Sequence, residues 1–153
     1  MLLLCAFLVG FVAGLRSMLA PAIVCWCARL DILDIGQTPL VLMNFRITAV
    51  IFSLFAIAEL IVDKLPKTPS RKTLPSFIFR ILTGSLVGAT VGAAGGQLIV
   101  GLILGAIGAV IGTLSGAAGR AKLAAAFGRD LPAALVEDIA AAAIAIFSIL
   151  RLR

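Results

Sequence analysis

Five apolar stretches, separated by short polar segments, follow one another along the chain. They cover residues 2–28, 45–65, 76–94, 98–118 and 132–150. A helix that crosses the roughly 30 Å hydrocarbon layer of a bilayer needs about 20 apolar residues. The pattern therefore predicts an all-α, polytopic transmembrane bundle of about five helices, forming a single integral membrane domain over residues 1–153.

The first stretch is longer than one crossing and contains Pro21. Proline lacks a backbone donor and clashes with the carbonyl four residues earlier. We therefore expect a spanning helix to about Ser17, a kink at Pro21 and a shorter helix to Ala28. Whether the segment 18–28 crosses the membrane or is re-entrant stays open at this stage.

The most polar part of the chain, residues 64–75, predicts the orientation in the membrane. Its basic residues and those next to it are Lys64, Lys67, Arg71, Lys72 and Arg80. Basic loops stay on the cytoplasmic side, and two crossings precede this loop, so we expect a cytoplasmic N-terminus as well. Five crossings would then place Arg151 and Arg153 outside, in mild conflict with the same rule.

Composition excludes an ordinary soluble domain, because 62% of the residues are hydrophobic and 13% are charged. The net charge of +6 lies mainly in short loops, and we expect no nucleic-acid partner. The chain has no His, the commonest metal ligand and general base. Its three cysteines are interpreted as small apolar fillers, and we expect no metal site and no cofactor.

Glycines recur at every fourth position in the third and fourth stretches. They are Gly84, Gly88, Gly92 and Gly96, then Gly101 and Gly105, then Gly108, Gly112 and Gly116. Such spacing gives a flat face along which helix backbones approach closely. Either the two stretches pack against each other or across a homodimer, or the glycines thin the helices around a permeation path.

Residues 13–21 resemble residues 118–125, which suggests an internal repeat. An odd number of crossings would separate the two pieces, so the units would be inverted. Inverted repeats are common in transporters, whose sites lie where interrupted helices meet.

Two charged residues, Arg16 and Glu59, interrupt apolar stretches, and such residues are costly in a membrane unless paired or used. Burial alone would favour a protonated Glu59. Asp63 shares its helix face, and with Lys64 it can be solvated at the cytoplasmic end. For Arg16 the candidate partners are Glu59, Glu137, Asp138 or an anionic ligand.

Glu137 and Asp138 form a second acidic pair at the start of the fifth stretch. Acids are favoured in the first turns of a helix by its dipole, so capping is one explanation. Arg120 and Arg129 precede the pair across a short connection and are its natural partners.

Several of these elements resemble a bacterial family of small integral membrane proteins classed as a domain of unknown function. The elements are Gly14-Leu15-Arg16, the run from Glu59 to Pro66, Arg80 with Gly84, and Pro132 to Asp138. The resemblance covers most of the chain and implies a multi-spanning protein of the bacterial inner (plasma) membrane. It implies no activity.

Three functions fit these observations. The favoured one is a dimeric transporter or channel-like protein for a small anionic or lipid-linked substrate. Its candidate substrate-binding or ion-coupling residues are Arg16, Glu59, Asp63, Lys64, Arg120, Glu137 and Asp138.

The second function is a non-transporting lipid-binding or scaffold protein whose charge pairs are structural. Basic residues would then hold anionic headgroups of membrane lipids; the candidates are Lys67, Arg71, Lys72 and Arg80. The third, a lipid-modifying enzyme, is least favoured, because His and an aspartate-rich motif are missing.

Overall fold

The computed structural model describes residues 1–63 and 73–151. Over these residues the chain forms α-helices and one short 3-10 helix, Val41–Asn44, with no strand. The α-helices are α1 (Leu2–Leu15), α2 (Leu19–Arg29), α3 (Arg46–Val62), α4 (Leu74–Ala93), α5 (Leu98–Phe127) and α6 (Asp130–Leu150). The predicted all-α bundle is confirmed. The described residues contain six α-helices rather than about five, because the first apolar stretch forms two of them.

Three helices of the described part, α4, α5 and α6, are long and apolar enough to cross a membrane. The other helices are shorter. At 1.5 Å per residue, α1 and α3 reach about 21 and 25 Å, less than the roughly 30 Å hydrocarbon layer. Large apolar side chains cover the outside of the bundle; Ile47, Ile99 and Ile139 are each at least 70% exposed. An outer surface of this kind suits contact with lipid.

Helices α1, α4 and α5 pack backbone against backbone through their glycines. A Cβ atom added to Gly88 would lie 2.4 Å from the carbonyl oxygen of Gly101, and one added to Gly10 would lie 2.3 Å from that of Gly105. Side chains larger than hydrogen therefore do not fit at these positions. The prediction that the third and fourth stretches pack together is confirmed, and α1 joins them. Because these glycine faces are filled by neighbouring helices, they line no path between α4 and α5.

The contacts at the ends of these helices fix their directions. A Cβ atom on Gly95, in the α4–α5 turn, would lie 3.0 Å from the side chain of Leu2, and one on Gly14 would meet the carbonyl of Ala109. Helix α1 therefore runs parallel to α5 and antiparallel to α4. The N-terminus lies beside the α4–α5 turn, whereas Leu74 begins α4 at the opposite end. The N-terminus and the start of α4, the described end of the 64–75 segment, therefore lie at opposite ends of the bundle, which corrects the predicted common side for them.

The predicted inverted repeat is not found in the two pieces that suggested it. Residues 13–21 contain a helix break, whereas residues 118–125 lie inside α5, and α1 and α5 run in the same direction. Helix α5 continues past residue 118 to Phe127 and ends at Gly128, whose φ of +66° lets the chain turn directly into α6. Alanine and glycine are common in closely packed helices, which explains the similarity of the two pieces.

The first apolar stretch breaks at Arg16–Met18 instead of kinking at Pro21. Pro21 is the third residue of α2, where a backbone donor has no partner within the helix, so its missing N–H costs little. Helix α2 then runs antiparallel to α3, because Ser17 contacts Glu59 and the Trp26 indole donates to Ser53. The connection between α2 and α3 is packed into the core through Leu33, Ile35 and Met43.

Candidate functional site: a charged helix break

The break between α1 and α2 leaves backbone groups that need partners. The last carbonyls of α1 have no donors within their own helix, and the first amides of α2 have no acceptors within theirs. In an apolar bundle each unpaired group would cost several kcal/mol. The side chains that converge there form what we call the charged break: Arg16, Glu59, Asp63, Arg80, Arg120, Glu137 and Asp138.

Arg80 binds the C-terminal end of α1. Its Nη1 donates to the carbonyl oxygens of Gly14 at 2.9 Å and Leu15 at 2.8 Å. The Thr113 hydroxyl donates to the Gly14 carbonyl as well, at 3.2 Å. Arg80 is only 4% exposed, so the prediction that it holds a lipid headgroup is corrected. It lies one and a half turns inside α4, close enough to fold inward onto the break.

Glu59 binds the N-terminal end of α2. Its Oε1 accepts hydrogen bonds from the Ser17 amide at 2.8 Å and the Ser17 hydroxyl at 2.6 Å, and its Oε2 accepts one from the Met18 amide at 2.8 Å. The guanidinium of Arg80 lies 3.6 Å away. Glu59 therefore does not serve as the partner of Arg16. It occupies the positive end of the α2 dipole, where a carboxylate is stabilised.

Arg16 is fully buried at the centre of the charged break. Its Nη1 donates to the Asp63 carboxylate, and its Nη2 lies 2.5 Å from Oδ1 of Asp138. The second contact is an ion pair without hydrogen-bond alignment, and Nε of Arg16 has no acceptor among the described residues. Of the predicted partners, Asp138 is the one that the structure brings to Arg16.

Asp63 bridges two arginines rather than being solvated as expected. Its side chain is 10% exposed, and its Oδ2 also accepts a hydrogen bond from Nη1 of Arg120 at 2.9 Å. The sequence could not reveal this, because Asp63 stands at the end of an apolar stretch next to the most polar segment.

Arg120 extends the network to α6. It donates to both carboxylate oxygens of Asp130, at 2.9 and 2.5 Å, and its Nη1 lies 4.0 Å from Glu137. Of the predicted partners Glu137 and Asp138, Arg120 approaches Glu137 alone, and Arg129 is exposed. Asp130, just before the predicted fifth stretch, is the closest acidic partner of Arg120. Glu137 is buried, and one of its oxygens would lie 3.2 Å from a Cβ atom on Gly116.

Sequence reasoning missed several contributors to the site: Ser17, Met18, Thr113 and Asp130. Backbone amides carry no signature in a sequence. Proline is nevertheless tolerated in the first turn of a helix and disfavoured in its interior, so Pro21 could have placed the beginning of α2. Thr113 is a lone polar residue between glycines of α5, which is a weak hint of a contact with another backbone.

Other predicted residues lie outside the described part of the chain; they are Lys64, Lys67, Arg71 and Lys72. Within the described residues, no group of three Cys, Asp or Glu side chains is arranged to hold a metal ion. Comparison of the chain with family models, curated proteins and solved structures finds no match.

Proposed function

We propose that the protein is a small transporter or channel-like protein of the bacterial inner membrane, acting on a small anionic or lipid-linked substrate at the charged break. One observation carries the proposal. A fully buried arginine, Arg16, engages carboxylates from two different helices at a point where a helix is interrupted. Ionisable groups at membrane depth are costly and usually belong to substrate or proton pathways.

The arrangement around Arg16 suits an exchange of partners. Its contact with Asp138 is an ion pair without hydrogen-bond alignment, and its Nε has no acceptor within the described chain. A proton on Asp138 would remove the charge that holds Nη2. An entering anion would then take the place of that carboxylate on the guanidinium, so that anion and proton move together.

Asp63 would couple this exchange to the other residues of the charged break. Because it contacts Arg16 and Arg120 together, a change at Arg16 alters the electrostatic environment of Arg120 and of its acidic partners on α6. Glu59 and Arg80 would keep the broken helix in place during the exchange. Interrupted helices with fixed ends of this kind form the binding sites of several transporter folds.

Orientation and assembly follow from the same proposal. With the basic loop in the cytoplasm, the N-terminus and the end of α6 would face outside. The short helices of one chain enclose little volume, so the working unit would be a homodimer. The membrane assignment is supported by α4, α5 and α6, which are long and apolar enough to cross a bilayer.

Currents on a solid-supported membrane test this function without a known substrate. Proteoliposomes are exchanged rapidly into chloride, nitrate, phosphate or acetate at several pH values. We expect an anion-dependent current that the wild type gives and empty liposomes do not, and a change of its pH dependence in Asp138→Asn. Asp31→Asn is the matched control, since Asp31 is exposed and lies outside the charged break. Currents equal to those of empty liposomes for every anion would contradict transport of this class.

A second function, a scaffold or lipid-binding protein with structural charge pairs, is favoured by the contacts of Glu59 and Arg80 with the ends of the broken helix. Glu59 and Arg80 are engaged by backbone groups of the break, which is a structural role. Under this alternative, substitutions in the charged break would lower stability, and the wild type would carry no anion current.

A further inference from the structure

An apolar groove lies between α1, α5 and α6, at the end of the bundle away from the charged break. Its volume is about 340 Å³, and its walls include Phe7, Leu8, Phe11, Ile111, Ile144 and Phe147. This volume is at the lower end of ligand sites, which span roughly 300–1,000 Å³. Because a cavity of about 150 Å³ holds benzene, the groove can accept part of a hydrocarbon chain.

The apolar walls of the groove favour a hydrocarbon occupant over a polar one. Ser148 is the one polar residue among the described residues that line it, and the Ser148 hydroxyl already donates to the carbonyl of Ile144 at 2.6 Å. A polar occupant would lose its hydrogen bonds to water and gain none from these walls, which is unfavourable. An alkyl chain has no such loss.

A positive charge lies beside one wall residue of the groove. Arg151 follows the last turn of α6 and is exposed, and its guanidinium carbon lies 4.7 Å from the centre of the Phe147 ring. Phe147 is itself a wall residue, so the cation lies next to the groove wall. The apolar groove and the exposed arginine beside its wall together complement an anionic amphiphile, which carries a hydrocarbon chain and a negative headgroup.

We propose that this groove binds one acyl chain of an anionic phospholipid whose headgroup pairs with Arg151. The charge of Arg151 beside the groove wall distinguishes this occupant from a neutral lipid and from an apolar helix of a second copy. The groove shares no wall residue with the charged break, so the proposal stands whether or not the protein is a transporter.

Native mass spectrometry tests the proposal on protein taken from nanodiscs containing equal amounts of phosphatidylglycerol and phosphatidylethanolamine. We expect the wild type to retain phosphatidylglycerol with roughly fivefold preference, the effect of one arginine near an anionic headgroup. Arg151→Gln should lose the preference while still binding lipid. Arg46→Gln, another exposed arginine at the start of a helix, is its control and should keep the preference.

Filling the groove tests the hydrocarbon part. Ile144→Trp and Leu8→Trp, which fill it from α6 and from α1, should both lose the retained lipid. Ile146→Trp, on another face of α6, should keep it. Two filling variants are used because misfolding of one variant would not explain loss of lipid from both. Equal retention of both lipids by the wild type would overturn the proposal, and so would an unchanged preference in Arg151→Gln. It would also be overturned if the wild type were a dimer without retained lipid and the filled variants were monomers, because the groove would then hold a second copy of the chain.

Discussion

Replacement of Glu59 by glutamine tests whether this residue holds the broken helix in place. Gln has nearly the same size, but one of its two terminal groups is an amide donor. In the native protein both carboxylate oxygens accept hydrogen bonds, from the amides of Ser17 and Met18 and from the Ser17 hydroxyl, at 2.6–2.8 Å. In either orientation the Gln amide therefore faces at least one backbone donor.

The expected loss follows from the number of bonds that change. A hydrogen bond to a charged group contributes about 1.5–3 kcal/mol, and loss of a helix N-cap costs roughly 0.5–2 kcal/mol. Since Gln retains one acceptor oxygen, we expect Glu59→Gln to lower the free energy of unfolding by about 2–4 kcal/mol.

Unfolding in mixed micelles of increasing SDS content measures this loss through tryptophan fluorescence. Trp26 is the single tryptophan of the chain, and its indole donates to Ser53 at 2.9 Å, so its emission reports on the packing of α2 against α3. Asp31→Asn, at an exposed position, is the control for removal of one carboxylate charge. A loss below about 0.5 kcal/mol for Glu59→Gln, the range of ordinary surface substitutions, would refute the capping role.

Two further predictions concern packing and orientation. Gly88→Ala should lower the free energy of unfolding by roughly 1–3 kcal/mol, the cost of overpacking, because its Cβ would lie 2.4 Å from the Gly101 carbonyl oxygen. The control is Gly119→Ala, where a Cβ meets nothing within 4 Å. It should be neutral or stabilising in the same SDS titration. Single cysteines at Thr73 and Gln97, introduced into a chain freed of native cysteines, should react with a membrane-impermeant maleimide from opposite sides, and labelling from the same side would contradict the direction of α4.

The helices and their tightest packing could be predicted from the sequence, because both depend on local patterns. A long apolar run must satisfy its backbone internally and so becomes helical, and glycines at every fourth position mark a face for close approach. Gly84 and Gly88 on α4 and Gly101 and Gly105 on α5 meet as that spacing indicates.

The composition of the charged break could be predicted only in part. Arg16, Glu59 and Asp138 stand out because apolar residues surround them. Arg80 and Asp63 lie near the polar segment, where a sequence does not distinguish a side chain that reaches water from one that folds inward.

The direction of α1 could not be predicted, because counting crossings assumes that each apolar stretch crosses once. The break at Arg16–Met18 turns the first stretch back on itself. The membrane side predicted for the N-terminus therefore changes as well. The partner of a buried charge is likewise a property of tertiary packing. Arg16 and Asp63 are 47 residues apart, and no local pattern connects them.

Proton uptake during anion binding tests the proposed exchange at Arg16 most directly. The anion that gives the largest current is added to weakly buffered, detergent-solubilised protein, and the pH change is recorded for the wild type and for Asp138→Asn, which imitates the protonated carboxylate. We predict that the wild type takes up a proton with each anion and that Asp138→Asn binds the anion without proton uptake. Anion binding without proton uptake in the wild type, or equal uptake in both proteins, would contradict the exchange.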